Sequence, residues 1–175
     1  LDDDGIHVEA AVDGPATQAK LAIPRLDLAT TLTLTNGRAQ TILQAQPDLW
    51  SPENPVLYDV TLSAGGDSVG DRVGFRRIER RGTCILLNGQ PIFLRGISVH
   101  EDDELQGKLT SEADIRRRFS HARELGCNFL RLAHYPHHEM AARIADEMGL
   151  MLWEEIPVYW AVDFTNSATR HDAEN

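Results

Sequence analysis

Cysteine is nearly absent from this chain: 175 residues hold only Cys84 and Cys127. No CxxC pair exists, which excludes a zinc ribbon or a dithiol redox motif of that type. Both cysteines sit in apolar runs that read as strand starts, so both are expected to be reduced, buried thiols. Long apolar runs are also lacking. None approaches the roughly 20 residues that a membrane-spanning helix needs. Basic clusters are scarce as well. RRIERR at 76–81 is short and is interrupted by Ile78 and Glu79. It reads as a solvated boundary segment, with a small polyanion patch as the alternative. The net charge of −10 and a pI near 5.1 point away from nucleic-acid and anionic-membrane partners. The opening LDDDG is not a signal peptide. The chain begins at Leu1 rather than Met, so cytoplasmic and periplasmic or secreted locations both stay open.

What is present divides into two patterns. Residues 1–80 read as β-rich. HVEAAV at 7–12 alternates loosely, and Thr31-Leu32-Thr33-Leu34-Thr35 alternates strictly into Asn36-Gly37. That dipeptide is the strongest short hairpin signal, and Thr41–Gln44 reads as its return strand. Leu57–Leu62 alternates again and ends at Gly65-Gly66. Short strands punctuated by turns predict a β-sandwich.

From about residue 81 the rhythm changes. Ile85-Leu86-Leu87, Asn88-Gly89 and Pro91–Leu94 read as a small hairpin. A first barrel-type strand is predicted over Leu94–Val99. Ser111 and Asp114 have capping-box spacing, and Ile115, Phe119 and Ala122 mark one helix face that Gly126 ends. Phe129–Ala133 reads as a second strand. Met140, Ile144 and Met148 mark a second helix, Gly149 ends it, and Leu150–Trp153 is a third strand. The two helix-stop glycines are 23 residues apart, the period of one helix plus one strand in parallel β/α architecture.

If these strands are parallel neighbours, their C-terminal ends share one rim. There the rim collects His100, Glu101, Asp102 and Asp103, then His134 and Tyr135, then Glu154 and Glu155. Carboxylates, imidazoles and a phenol converging on one mouth suit a hydroxyl-rich ligand such as a sugar. A solvated loop or a strand-end turn explains any one of them alone, but not their common place in the repeat. His134, His137 and His138 invite a metal reading. His134 and His138 would share a face only in a helix, and Pro136 opposes one; no metal is expected. Glu154 and Glu155 are not a catalytic pair, because adjacent strand residues point to opposite faces.

LWSPENPVLYDV (49–60), DRVGFRRIE (71–79), LNGQPIFLRGISVHED (87–102), NFLRLAHYPH (128–137) and DEMGLMLWEEIPVYW (146–160), in this order, resemble glycoside hydrolase family 2. That family holds β-galactosidases, β-glucuronidases and β-mannosidases. The resemblance implies an immunoglobulin-like β-sandwich at 1–80. At 81–175 it implies the first three β/α units of a (β/α)8 TIM barrel, with the rest of the barrel not in this sequence. It implies a retaining mechanism with an acid/base Glu in an Asn-Glu motif after strand four and a nucleophile Glu near strand seven. No Asn-Glu pair occurs here, so both catalytic Glu residues are expected beyond the chain and these residues alone are expected to be inactive. What carries over is a substrate wall. Asp102 matches a sugar contact and His134 a substrate- or transition-state-binding position. Arg131, Tyr135 and Glu155 match an inner-rim network, His100 shares the rim, and Trp160 can stack on a sugar. The resemblance implies a carbohydrate substrate of β-galactoside or β-glucuronide type, no cofactor and a homo-oligomeric whole protein. The alternative is a non-catalytic glycan-binding or scaffolding chain.

Overall fold

Alternation and turn residues build the first part of the chain as strands. The computed structural model describes residues 1–175 except positions 104, 106, 109, 110, 158–162, 164 and 175, with backbone only at 172–174. It divides into two compact units, Leu1–Phe93 and Leu94–Asn175.

In the first unit, β1 (Ile6–Ala11) pairs antiparallel with β4 (Arg38–Leu43). A second sheet has the order β3-β2-β5-β6, from β2 (Gln18–Ile23), β3 (Leu28–Thr33), β5 (Tyr58–Ala64) and β6 (Asp67–Val73). The two sheets enclose one core in which Ile6, Ala10 and Leu43 meet Leu21, Ile23, Leu32, Tyr58 and Phe75. This is the expected sandwich.

Asn36-Gly37 forms the tight turn that its chemistry demands. Both residues have positive φ, 53° and 74°, and Thr35 and Arg38 exchange backbone hydrogen bonds of 2.8 and 3.1 Å. Yet β3 and β4 do not form the expected hairpin ladder. Past the turn they part, β3 to β2 and β4 to β1. Splitting them lets Leu32 and Leu43 enter the shared core from opposite sheets, which a flat two-stranded ribbon could not do.

The first unit ends in a three-stranded meander: β7 (Ile78–Arg81), β8 (Cys84–Leu87) and β9 (Gln90–Pro91). Asn88 and Gly89 supply the positive φ values of its second turn. Cys84 is exposed, against the expectation of a buried thiol, whereas Cys127 is buried. Cys84 stands at the turn end of β8, and the strand becomes buried only at Leu86 and Leu87.

The second unit is parallel. β10 (Gly96–Val99), β11 (Phe129–Leu132) and β12 (Met151–Glu154) lie in the order 10-11-12. Helices α1 (Glu112–Glu124) and α2 (Met140–Met148) connect them. Ser111 caps α1 in a full capping box: its hydroxyl accepts from Asp114 N, and the Asp114 carboxylate accepts from Ser111 N. Gly149 closes α2 at φ 70°. Ile115, Phe119 and Ala122 of α1 and Ile144 of α2 pack on Leu130 and Leu132 of β11. A third helix, α3 (Ser167–Glu174), was not anticipated from the sequence. The consequence for function is geometric. Three adjacent parallel strands place their C-terminal ends side by side.

Candidate functional site

Side chains in one register row of a parallel sheet share a face, and the row Ser98, Arg131, Trp153 runs across all three strands. The row above the helices is Ile97, Leu130, Leu152, and Leu130 is fully buried there. Arg131 is therefore turned away from the helices. Two residues beyond Trp153 the same face is occupied by Glu155.

Arg131 and Glu155 meet as a fork. Arg131 Nε donates to Glu155 Oε1 at 2.6 Å, and Nη2 donates to Oε2 at 3.1 Å. Glu155 Oε2 also accepts the backbone N–H of His134 at 2.7 Å. The Arg131 hydrogen bonds, then the His134 N–H, hold the Glu155 carboxyl below its ordinary pKa. It is a carboxylate at neutral pH, and three N–H groups already engage its oxygens. Its neighbour Glu154 is exposed.

His134 lies at the end of β11, where Ala133 N still donates to Val99 O at 3.1 Å. His134 itself has φ 81°, a conformation few residues with a side chain adopt. Its ring stands 5.2 Å from that of His100, centroid to centroid, and its Nδ1 is 3.5 Å from Glu155 Oε2. Tyr135 is 6.2 Å from His100 and stacks on His137 at 4.9 Å. The Tyr135 hydroxyl accepts from Glu101 N at 3.1 Å, and Glu101 Oε1 accepts from His138 N at 2.6 Å. These two bonds tie the exit of β10 to the exit of β11.

Of the residues singled out from the sequence, the fold thus brings together His100, Arg131, His134, Tyr135 and Glu155. Asp102 is exposed on the same exit loop, and its carbonyl accepts from Arg118 Nη2 at 3.4 Å. No contact joins the Asp102 side chain to this group among the described residues. Trp160 lies outside the described residues. The three histidines have separate tasks: His137 Nε2 is 3.3 Å from Ala133 O, and His138 Nδ1 accepts from Met140 N at 3.1 Å at the start of α2. Among the described residues no group of three or more metal-ligating side chains converges.

Sequence reasoning missed Lys108. Its ammonium lies 4.3 Å from the centroid of the Tyr135 ring, a cation–π contact. The loop carrying it folds back because Asp103 and Gly107 exchange backbone hydrogen bonds of 2.7 and 2.9 Å. The available signal was Gly107 just before a lysine in a polar stretch, which marks a turn but not its destination.

Residues 78–171 match the family description "Glycosyl hydrolases family 2, TIM barrel domain", and residues 4–76 match "Glycosyl hydrolases family 2". The chain belongs to glycosyl hydrolase family 2. A putative beta-glucuronidase of Formosa agariphila is 39% identical over 63% of this family 2 chain. A beta-galactosidase of Arthrobacter sp. is 31% identical over 82% of it. The chain spans 14% of the length of each of these relatives. Among solved structures, Bacteroides uniformis beta-glucuronidase 3 is similar at TM-score 0.75 and 30% identity, over 89% of this chain and 22% of that one. His100, His134 and Tyr135 gather at the C-terminal ends of β10 and β11, the end of the strands where TIM barrels build their active sites.

Proposed function

We propose that these residues form part of the sugar-binding wall of a retaining exo-β-glycosidase that removes terminal β-linked galactosyl or glucuronosyl units. The observation that carries this is the meeting of His100 and His134, 5.2 Å apart, at the ends of adjacent parallel strands in a family 2 chain. Imidazoles and the exposed Asp102 carboxylate offer donors and acceptors for sugar hydroxyls. Tyr135, Arg131 and Glu155 support that wall, and Trp160 supplies a ring for the C–H face of a sugar.

A retaining glycosidase works with two carboxyl groups about 5–5.5 Å apart, one protonated and one nucleophilic. Glu155 fits neither role. It is ionised, so it is no acid, and Arg131 and the His134 N–H engage three of its roughly four acceptor sites. In this reading both catalytic carboxyls come from other parts of the barrel.

The test is hydrolysis of p-nitrophenyl β-galactoside and β-glucuronide by the whole protein, with the anomer of the first product followed by proton NMR. Turnover with retained configuration, weakened by His134→Ala, is expected. The 175-residue polypeptide assayed alone should give none. Sustained turnover by that polypeptide, lost in Glu155→Gln, would sink the assignment. Saturable sugar binding by the whole protein with no hydrolysis would put the glycan-binding alternative in its place.

A further inference from the structure

The geometry points to Glu155 as a positioning residue that acts through His134, rather than as a ligand of the sugar. This rests on the glycosidase reading above, in which His134 faces the sugar.

The chain leaves the sheet at His134. Ala133 N makes the last bond to β10, at 3.1 Å to Val99 O. The next N–H turns to a side chain instead, Glu155 Oε2, at 2.7 Å. At that same residue φ is 81°. A histidine in this region persists only where its surroundings over-determine it. The determinant here is an anion: a carboxylate receiving a backbone N–H makes a charge-assisted bond, stronger than the carbonyl bond it replaces. Glu155 can serve only if it stays put and stays charged. Arg131 secures both, with a two-bonded fork from the neighbouring strand at 2.6 and 3.1 Å. The Glu155 side chain is 16% exposed and that of His134 is 33% exposed. The imidazole is thus the more open of the two groups, while the carboxylate stands behind it. A sugar ligand needs lone pairs directed at the opening. Three protein donors already take three of the roughly four acceptor sites of the Glu155 carboxylate.

The substitutions separate these roles. Glutamine at 155 offers one acceptor oxygen and one NH2 group to three donors, so at least one N–H faces another N–H. The contact that fixes His134 is then lost or weakened at nearly constant volume. In the whole protein, Glu155→Gln is expected to lower kcat/KM on whichever nitrophenyl glycoside is turned over by about 100-fold, the scale of a 1 Å misplacement. If Glu155 acts through His134, the double variant Glu155→Gln/His134→Ala should fall within about 3-fold of His134→Ala alone. Losses that multiply would overturn the assignment, as would wild-type kinetics in Glu155→Gln. Arg131→Lys keeps the charge and loses the fork, and serves if Glu155→Gln does not fold. It should show a smaller loss and the same non-additivity with His134→Ala; multiplied losses there also overturn the assignment. A crystal structure of either variant gives a readout independent of the sugar. Residue 134 is expected to leave positive φ, or its ring to move off His100. An unchanged φ and ring place in Glu155→Gln would refute the positioning role. Absence of any glycoside turnover would refute the glycosidase reading alone, with the crystallographic result still deciding the role of Glu155.

Discussion

Gly96 opens β10 opposite Phe129, and replacing it by alanine tests how tightly the rim is set. A Cβ at this position would stand 2.5 Å from both Phe129 Cδ1 and Phe129 O, and 3.1 Å from Phe129 C. Carbon contacts are comfortable at about 3.5–4.0 Å. The phenyl ring can rotate away. The carbonyl oxygen cannot, because it belongs to the backbone of β11. Relief therefore requires β10 to retreat from β11 by about 1 Å, and overpacking of this kind costs about 1–3 kcal/mol. Gly96 is not among the residues with positive φ, so alanine suffers no backbone strain and the effect is steric alone. The same retreat moves His100, four residues on, relative to His134. A displacement near 1 Å at a working site costs on the order of 100-fold in rate. In the whole protein, Gly96→Ala should thus lower the urea midpoint and, on the glycosidase reading, cut glycoside turnover together. Stability and turnover both equal to wild type would show that the strands yield without moving the rim, and the reasoning from register to site would fail.

Three other outcomes follow from the same geometry. Ser111→Ala removes the hydroxyl that accepts Asp114 N at 3.2 Å and should cost about 1 kcal/mol, with faster hydrogen exchange confined to the first turn of α1. Gly74→Ala brings a Cβ within 2.7 Å of Trp50 Cδ1; Trp50 is fully buried, so a loss of about 1–3 kcal/mol and a red shift in tryptophan emission are expected. Glu155 titrates below its ordinary value because of Arg131 and the His134 N–H, so its contribution is complete above the unfolded value of about 4.3 and is lost as pH falls through the lower folded value. Denaturant midpoints across the acid range should decline, and the decline should be shallower in Glu155→Gln.

Local chemistry was legible in the sequence, and choices of partner were not. The capping box at Ser111 and Asp114, the stop at Gly149 and the turns at Asn36-Gly37 and Asn88-Gly89 all depend on two to four adjacent residues. Each forms as expected. Which strand β3 joins depends on burying Leu32 against residues far along the chain, and no local signal carries that. The same division runs through the site. The repeat placed His100, His134 and Glu155 on one rim, because period alone decides that. The positive φ of His134 and the contact of Lys108 with Tyr135 arise where loops close over strand ends, and hydrophobic periodicity is silent about loops. Cys84 shows the converse: an apolar stretch read as core holds an exposed residue at its turn end.

Asn88 carries a consequence for anyone recombining family 2 modules. It lies in the turn between β8 and β9, yet its side chain reaches the sandwich. Its Oδ1 accepts from Arg77 N at 3.0 Å, its Nδ2 donates to Trp50 O at 3.0 Å, and its own N–H donates to Arg77 O at 2.8 Å. Trp50 is the fully buried tryptophan beneath. Asn88 is thus a rivet through the seam, with its shank in the later sequence and its grip in the earlier. A chimera joined at residue 80 would take the rivet from one parent and the plate from the other. A joint after Phe93 keeps both in one piece, so swaps made there should express folded sandwiches where swaps at 80 do not.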